Sequence, residues 1–354
     1  MKNSKTSVSA DQEHDTSARS TVIAAVAFGL ISAVGYTAAN VCLRSVTHID
    51  PIWVSCIKSM PTVLLAGPWV AWRRWKGHIL FPSLRLLLLV VAIALLGQLG
   101  GNISFQYALG KIGIALDVPL TLGTMIVVSA VLGRWLLGDT ISAQMAFAGL
   151  VLIVAMFVLG WGADDANRAI ESARSLANTS PAIGSAEHAS SVIEPPTAAN
   201  RWNTVLGVSA AGFAGFAYCC LSLTIRFATR HGALPSTVVA TVGVAGLISL
   251  FLLTLVRCGV APIVTASSWD YAYMAGAGIF NYLAFITLTK ALQISSVFFV
   301  NALNASQTAM AAMAGIVIFG EPASTTLGAG IVLTVMGLLM MTKRTKPTAS
   351  GKSS

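Results

Sequence analysis

Two ionisable side chains lie clearly inside apolar runs of this sequence: Lys58 and Asp117. A charge at the centre of a membrane helix costs about 2.5–3.5 kcal/mol on insertion scales, so each needs a reason. Both runs start on the same side of the membrane in the topology derived below, which places the two groups at similar depth. Three roles are open: a structural ion pair, a substrate or proton path in which Lys58 tunes the protonation of Asp117, and snorkelling of the heads to the interface. Uncharged polar groups form stripes. Gln98, Asn102 and Gln106 recur every four residues, Asn301, Asn304 and Gln307 every three, and Asn281 lies mid-run. Interhelical hydrogen bonding accounts for any single amide. Seven carboxamides on three runs exceed that need and point to a polar cavity. Amides both donate and accept, which suits a zwitterionic or polar neutral solute. The substrate-binding set expected is Tyr36, Asn40, Gln98, Asn102, Asn281, Asn301, Asn304 and Gln307, with Asp117 and Lys58 as proton-coupling groups or an ion pair.

Other chemistries lack their residues. There is no Walker phosphate loop, no HExxH and no CxxC. The five histidines (His14, His48, His78, His188, His231) sit in tails, loops or run edges, so a membrane-embedded catalyst would have no imidazole base. No catalytic residue, cofactor or metal is expected, and the chain reads as a non-enzyme. The five cysteines lie in or beside apolar runs, and their odd number argues against a disulfide framework.

The elements that must position these groups follow from composition. Of 354 residues, 55% are hydrophobic and 10% charged, against about 25% charged in soluble domains. Mean hydropathy is +0.77. Ten apolar runs are long enough, or nearly so, to cross about 30 Å of hydrocarbon: Val22–Leu43, Trp53–Trp72, Leu86–Gln106, Ile112–Leu132, Ile141–Leu159, Thr204–Ile225, Ser236–Leu255, Trp269–Leu288, Val297–Phe319 and Thr325–Met341. Lipid offers the backbone no hydrogen-bond partners, so the runs must be helices. All eight tryptophans fall at or near run ends, where indoles seek the headgroups. The net charge of +9 resides mostly in connecting segments, which orients a membrane protein and makes nucleic acid a poor partner. Placing both termini in the cytoplasm puts most Lys and Arg inside, Arg73, Arg74 and Lys76 foremost. The expected location is the plasma membrane, or the inner membrane of a bacterium.

Residues 1–20 read as a disordered cytoplasmic tail, 162–202 as a flexible polar linker, and 343–354 as a basic cytoplasmic tail. The linker separates residues 21–161 from 203–342, five runs each, and the two units resemble each other. Tyr36, Asn40 and Arg44 reappear as Tyr218, Ser222 and Arg226, each 182 residues later; Gly138-Asp139 reappears as Gly320-Glu321 at the same offset. An odd number of crossings per unit inverts the second unit. The fold expected is an all-α polytopic membrane protein with ten transmembrane helices in two inverted five-helix repeats, an architecture of alternating-access transporters.

At these residues the chain resembles the drug/metabolite transporter superfamily, and the EamA family in particular. Asp50-Pro51 followed by Lys58 is similar to that family's "DP…R" motif, with Lys for Arg. Ala108-Leu109 to Gly138-Asp139, and Ala291-Leu292 to Gly320-Glu321, resemble its "AL…GE" segment. The chain departs at Asp139, where Glu is usual. It departs also at Thr124 to Val127 and Gln307 to Ala309, where Pro is frequent, while Pro119 sits earlier. The resemblance covers about residues 22–342. It implies a secondary transporter exporting or exchanging small metabolites, amino acids or drugs, with protons as an optional coupling ion. A passive facilitator or a lipid-linked-sugar flippase is the alternative; an intramembrane enzyme or scaffold is less favoured. Substrate, ion, direction of flux and oligomeric state are not legible.

Overall fold

The computed structural model describes residues 3–139, 141–158, 198–319 and 325–342. The regular elements among them are helices: α1 Asn3–Arg44, α2 Pro51–Trp75, α3 Leu84–Leu95, a π-helical segment Leu96–Asn102, α4 Ile103–Leu137, α5 Ala143–Val158, α6 Ala198–Arg230, α7 Pro235–Arg257, α8 Ala261–Thr265, α9 Ser268–Ile294, α10 Val297–Asn304, α11 Gln307–Phe319 and α12 Thr325–Thr342. Seven stretches are long and apolar enough to cross a membrane: Ser20–Arg44, Pro51–Trp75, Leu84–Ile112, Asp117–Leu137, Val205–Arg230, Pro235–Arg257 and Ser268–Ile294. α5 and Gly328–Met340 are apolar but shorter, and the expected ninth run is divided into α10 and α11.

Two boundaries differ from the sequence reading. α1 starts at Asn3 instead of after a disordered tail, because no Gly or Pro interrupts residues 3–21 and helix propagates once nucleated. α6 starts at Ala198 and absorbs the end of the expected 162–202 linker. The rest of that linker, Gly320-Glu321 and the 343–354 tail lie outside the described residues.

Local chemistry sets the remaining ends. The Asp50 carboxylate accepts the Ile52 and Trp53 amides at 2.8 and 3.4 Å and opens α2, with Pro51 at its first position. Gly138 closes α4 at φ +64, a left-handed cap that a side chain would strain. Ser267 and Asp270 form a reciprocal capping box at the start of α9.

α4 has helical backbone from Ile103 to Leu137, yet its neighbours on α6 reveal two opposed runs. Gly97, Gly101 and Ile112 face Leu221, Tyr218 and Gly207 in turn, antiparallel to α6. Thr121, Gly133 and Asp139 face Ala211, Leu223 and Arg226, parallel to it. The chain therefore reverses between Ile112 and Asp117, and two crossings lie against one helix.

The main helix contacts join residues before 160 to residues after 197. α1 packs on α9, α10 and α11; α2 on α7 and α9; α3 and the π segment on α6 and α7; α4 on α6 and α10. Lipid supplies no hydrophobic drive for such pairing, so close contact through small residues matters. At Gly278 the α9 backbone touches α2: a Cβ there would lie 2.6 Å from the Lys58 carbonyl oxygen and 2.7 Å from Pro61 Cγ. Gly278→Ala is expected to cost about 1–3 kcal/mol by forcing these helices apart, read as a lowered melting temperature in detergent. An unchanged melting temperature would show that the contact yields freely.

One apolar cluster gathers Leu86, Val90, Leu223, Ile225, Leu288 and Leu292; another, Leu43, Val46, Trp53, Leu250 and Met274; a third, Phe105, Leu122, Met125, Phe298 and Leu303. Large apolar side chains such as Leu64, Val131 and Leu252 face outward, as lipid contact requires. The five cysteines are free thiols.

Candidate functional site

Amid these apolar clusters lies a partly open cavity whose empty space of about 900 Å³ includes its open mouth. α1 contributes Tyr36, Ala39, Asn40 and Leu43; α2 Lys58; the π segment Gly97, Gln98 and Asn102. α4 adds Phe105, Val118, Thr121, Leu122 and Met125; α6 Tyr218, Leu221, Ser222 and Ile225; α9 Asn281, Phe285 and Leu288. Val242 of α7, Asn304 and Gln307 complete the wall. Two irregular places in the bundle, the π segment and the α10–α11 break, face this space.

A π turn leaves the regular i→i−4 bonding pattern, and such turns concentrate at functional sites. Here the wider turn carries Gln98 and Asn102. The Asn102 side-chain NH2 donates to Gln98 Oε1, and Gln98 Nε2 donates to the Val242 carbonyl at 3.4 Å. Asn102 Oδ1 accepts two bonds, from Lys58 Nζ at 3.0 Å and from the Tyr218 hydroxyl at 2.8 Å. Lys58 is 5% exposed.

The α10–α11 break falls at Ala305–Ser306 without a proline. Polar side chains compete with the backbone there. Gln307 Nε2 donates to the freed Asn304 carbonyl at 3.0 Å, and the Gln307 side-chain oxygen accepts Asn40 Nδ2 at 3.4 Å. Ser32 Oγ donates to Asn304 Oδ1 at 3.4 Å. Thus α1 is tied to the break through two amides.

Seven of the eight expected substrate-binding residues line the cavity: Tyr36, Asn40, Gln98, Asn102, Asn281, Asn304 and Gln307. Asn301 does not. It is fully buried, with both amide atoms lacking partners in the structure. The every-third-residue spacing put it on the same side of α10 as Asn304, about 60° away, but only Asn304 reaches the cavity.

The expected Lys58–Asp117 ion pair is absent. Lys58 turns to the π segment, whereas Asp117 sits against α6. The Thr121 hydroxyl lies 3.2 Å from both Asp117 Oδ1 and the Ala211 carbonyl, and Asp117 Oδ2 has no hydrogen-bond partner. Similar depth did not mean the same side of a helix. Asp117 does not line the cavity, but its neighbours Val118 and Thr121 do.

A different buried ion pair is present at one end of the bundle. Arg226 donates to Asp139 Oδ1 at 3.0 Å, each side chain being 5% exposed. Arg226 also donates to the Leu292 carbonyl at 3.2 Å, and the Val297 amide donates to Asp139 Oδ2 at 3.4 Å. Arg230 approaches the same carboxylate at 3.7 Å. One carboxylate thereby joins the ends of α4, α6 and α9 to the start of α10. In the sequence Arg226 and Asp139 stood out only through the 182-residue offset that matches them to Arg44 and Glu321, and neither was expected in a site. Tyr218 and Ser222, also on that stripe, were passed over as lining residues.

Among the described residues no group of three or more His, Cys, Asp or Glu is placed to hold a metal ion. The lining sets amide, hydroxyl and ammonium groups among apolar side chains, which suits a small solute with polar groups.

No family model and no curated protein matches the chain. A solved structure titled only "Crystal structure of protein" is similar in fold, with a TM-score of 0.63 at 16% identity over 90% of this chain and 98% of that one. At that identity the likeness speaks of fold alone.

Proposed function

We propose that this chain is a secondary transporter of the drug/metabolite transporter type, moving a small polar solute by alternating access through ten membrane crossings in two inverted five-helix repeats. The observation that carries the reading is the amide-lined cavity where both irregular helical segments meet inside an otherwise apolar bundle. Unwound or distorted helices at mid-membrane are how such transporters expose polar groups to a solute. The packing pattern supports the repeat. Exchanging the halves maps the α1–α9 contact onto that of α6 with Leu84–Ile112, and the α1–α10 contact onto that of α6 with Asp117–Leu137; the α2–α7 contact maps onto itself. Both termini are placed in the cytoplasm on the strength of Arg73, Arg74 and Lys76 at the end of α2.

Proteoliposomes carrying the purified chain should accumulate or exchange labelled small carboxylates, amino acids or nucleosides beyond empty vesicles. No flux of any class would overturn the reading. A response to an imposed pH gradient separates a coupled carrier from a facilitator. If Asp117 is the proton carrier, Asp117→Asn should abolish gradient-driven flux yet keep solute exchange, because the amide preserves the Thr121 contact and loses the titrating group. A normal gradient response in that variant would remove Asp117 from the coupling.

A further inference from the structure

We propose that the solute carries a single carboxylate, bound by the Lys58 ammonium, on an uncharged body that is partly apolar. This specifies the substrate class of the cavity assigned above and rests on that assignment only for the flux measurement. Lys58 is the one charged residue among the described residues lining the cavity. It is 5% exposed, and among the described residues no carboxylate lies within ion-pair reach of it. Its bond in the structure is to the neutral Asn102 amide. An ammonium has three N–H donors, so two remain. A buried charge without a counter-ion is costly, and an anion arriving in the cavity relieves that cost.

The surroundings hold the ammonium in place. Asn102 Oδ1 is fixed by Tyr218 as well as Lys58, while its NH2 is anchored on Gln98, which in turn reaches Val242. The chain of bonds leaves no freedom for the amide to flip and offer its NH2 to Lys58. Gly278 lets the α9 backbone close on the Lys58 carbonyl, which holds this part of α2 against α9.

The same inventory sets the charge of the solute. One cation matches one negative charge; a dicarboxylate or a phosphate dianion would bury a second charge unmatched. No acid lines the cavity, so a free ammonium on the solute would have only neutral acceptors, which disfavours amino acids and amines. The remaining wall alternates apolar groups such as Phe105, Leu122 and Phe285 with the amides of Asn281 and Asn304, suited to an apolar body bearing neutral polar groups.

The test uses the purified full chain in detergent and isothermal titration calorimetry. The probes are 3-phenylpropanoate, indole-3-acetate and butanoate, each with its isosteric primary amide and its amine counterpart, plus phenylalanine. At least one carboxylate should bind roughly 10- to 100-fold more tightly than its amide and amine, the span expected of a charge-assisted hydrogen bond. Lys58→Met should erase that preference and Lys58→Arg should retain most of it. The acid-to-amide ratio of the wild-type protein decides the matter even if Lys58→Met fails to fold. Binding of no carboxylate, equal binding of acids and amides, or a preference surviving in Lys58→Met would each overturn the proposal. Carboxylate binding without flux in proteoliposomes would keep the subsite and sink the transport reading; flux of amines or neutral solutes alone would do the reverse.

Discussion

Arg226→Met is expected to destabilise the bundle by about 3–5 kcal/mol, the usual consequence of stripping one partner from a buried ion pair. The loss comes from what remains. Asp139 stays 5% exposed, with the Val297 amide at 3.4 Å and Arg230 at 3.7 Å as its remaining partners. Arg230 is 44% exposed and shares its charge with solvent, so it compensates only in part and favours the lower end of the range. Asp139→Asn alone should be costly for the converse reason, since it leaves the Arg226 guanidinium buried. Combining the two changes removes both charges and should recover more than half of the summed loss. Thermal unfolding in detergent measures all three. Strictly additive losses would show that the two residues act independently and that the junction is not a unit.

Asn102→Leu should cost about 3 kcal/mol or more and abolish folding in a marginal detergent. Its side-chain oxygen is the sole acceptor the structure gives to the Lys58 ammonium, and it also takes the Tyr218 hydroxyl. Leucine fills the volume but strands a buried cation. Adding Lys58→Met in the same chain should restore folding, because the orphaned charge is then gone. Asn304→Leu is the contrasting case. It loses one long bond from Ser32 and no ionic partner, so about 1 kcal/mol is expected, with flux impaired in a protein that still folds. Equal stability loss in the two variants, or no rescue by Lys58→Met, would break the argument.

The contrast between these two amides also shows what the sequence carried. The stripe of Gln98, Asn102 and Gln106 was visible as a period of four; the structure places Gln98 and Asn102 on one wall of the cavity and leaves Gln106 buried away from it. That both charges need shelter was also legible: Lys58 and Asp117 are both buried inside the bundle. Azimuth was not, because the sequence does not say which way each helix is rotated against its neighbours, and the expected pair failed on that point alone. Asn301 failed because it is buried within α10, while Asn304 and Gln307 flank the break at Ala305–Ser306, which neither Pro nor Gly announces. The π segment was likewise hidden, since Gly97, Gly100 and Gly101 read equally well as contact points. Arg226 and Asp139 lay 87 positions apart, and the 182-residue offset matched them to Arg44 and Glu321, not to each other.

The packing of early residues against late ones bears on how the chain is made. Helices enter the bilayer one by one and associate afterwards. Here α1, α2 and α4 find their principal partners in α9, α7 and α6. At about 5–20 residues per second, the ribosome needs roughly 10–40 s to deliver the second unit after the first is complete. For about the first third of that interval Asp139 has no Arg226 and Asn102 has no Tyr218, and the faces destined for α7 and α9 wait longer, against lipid or against whatever the insertion machinery supplies. A nascent chain stalled at residue 160 is therefore a set of inserted but unassembled helices, open to membrane proteases, and the second unit completes the first rather than adding to it.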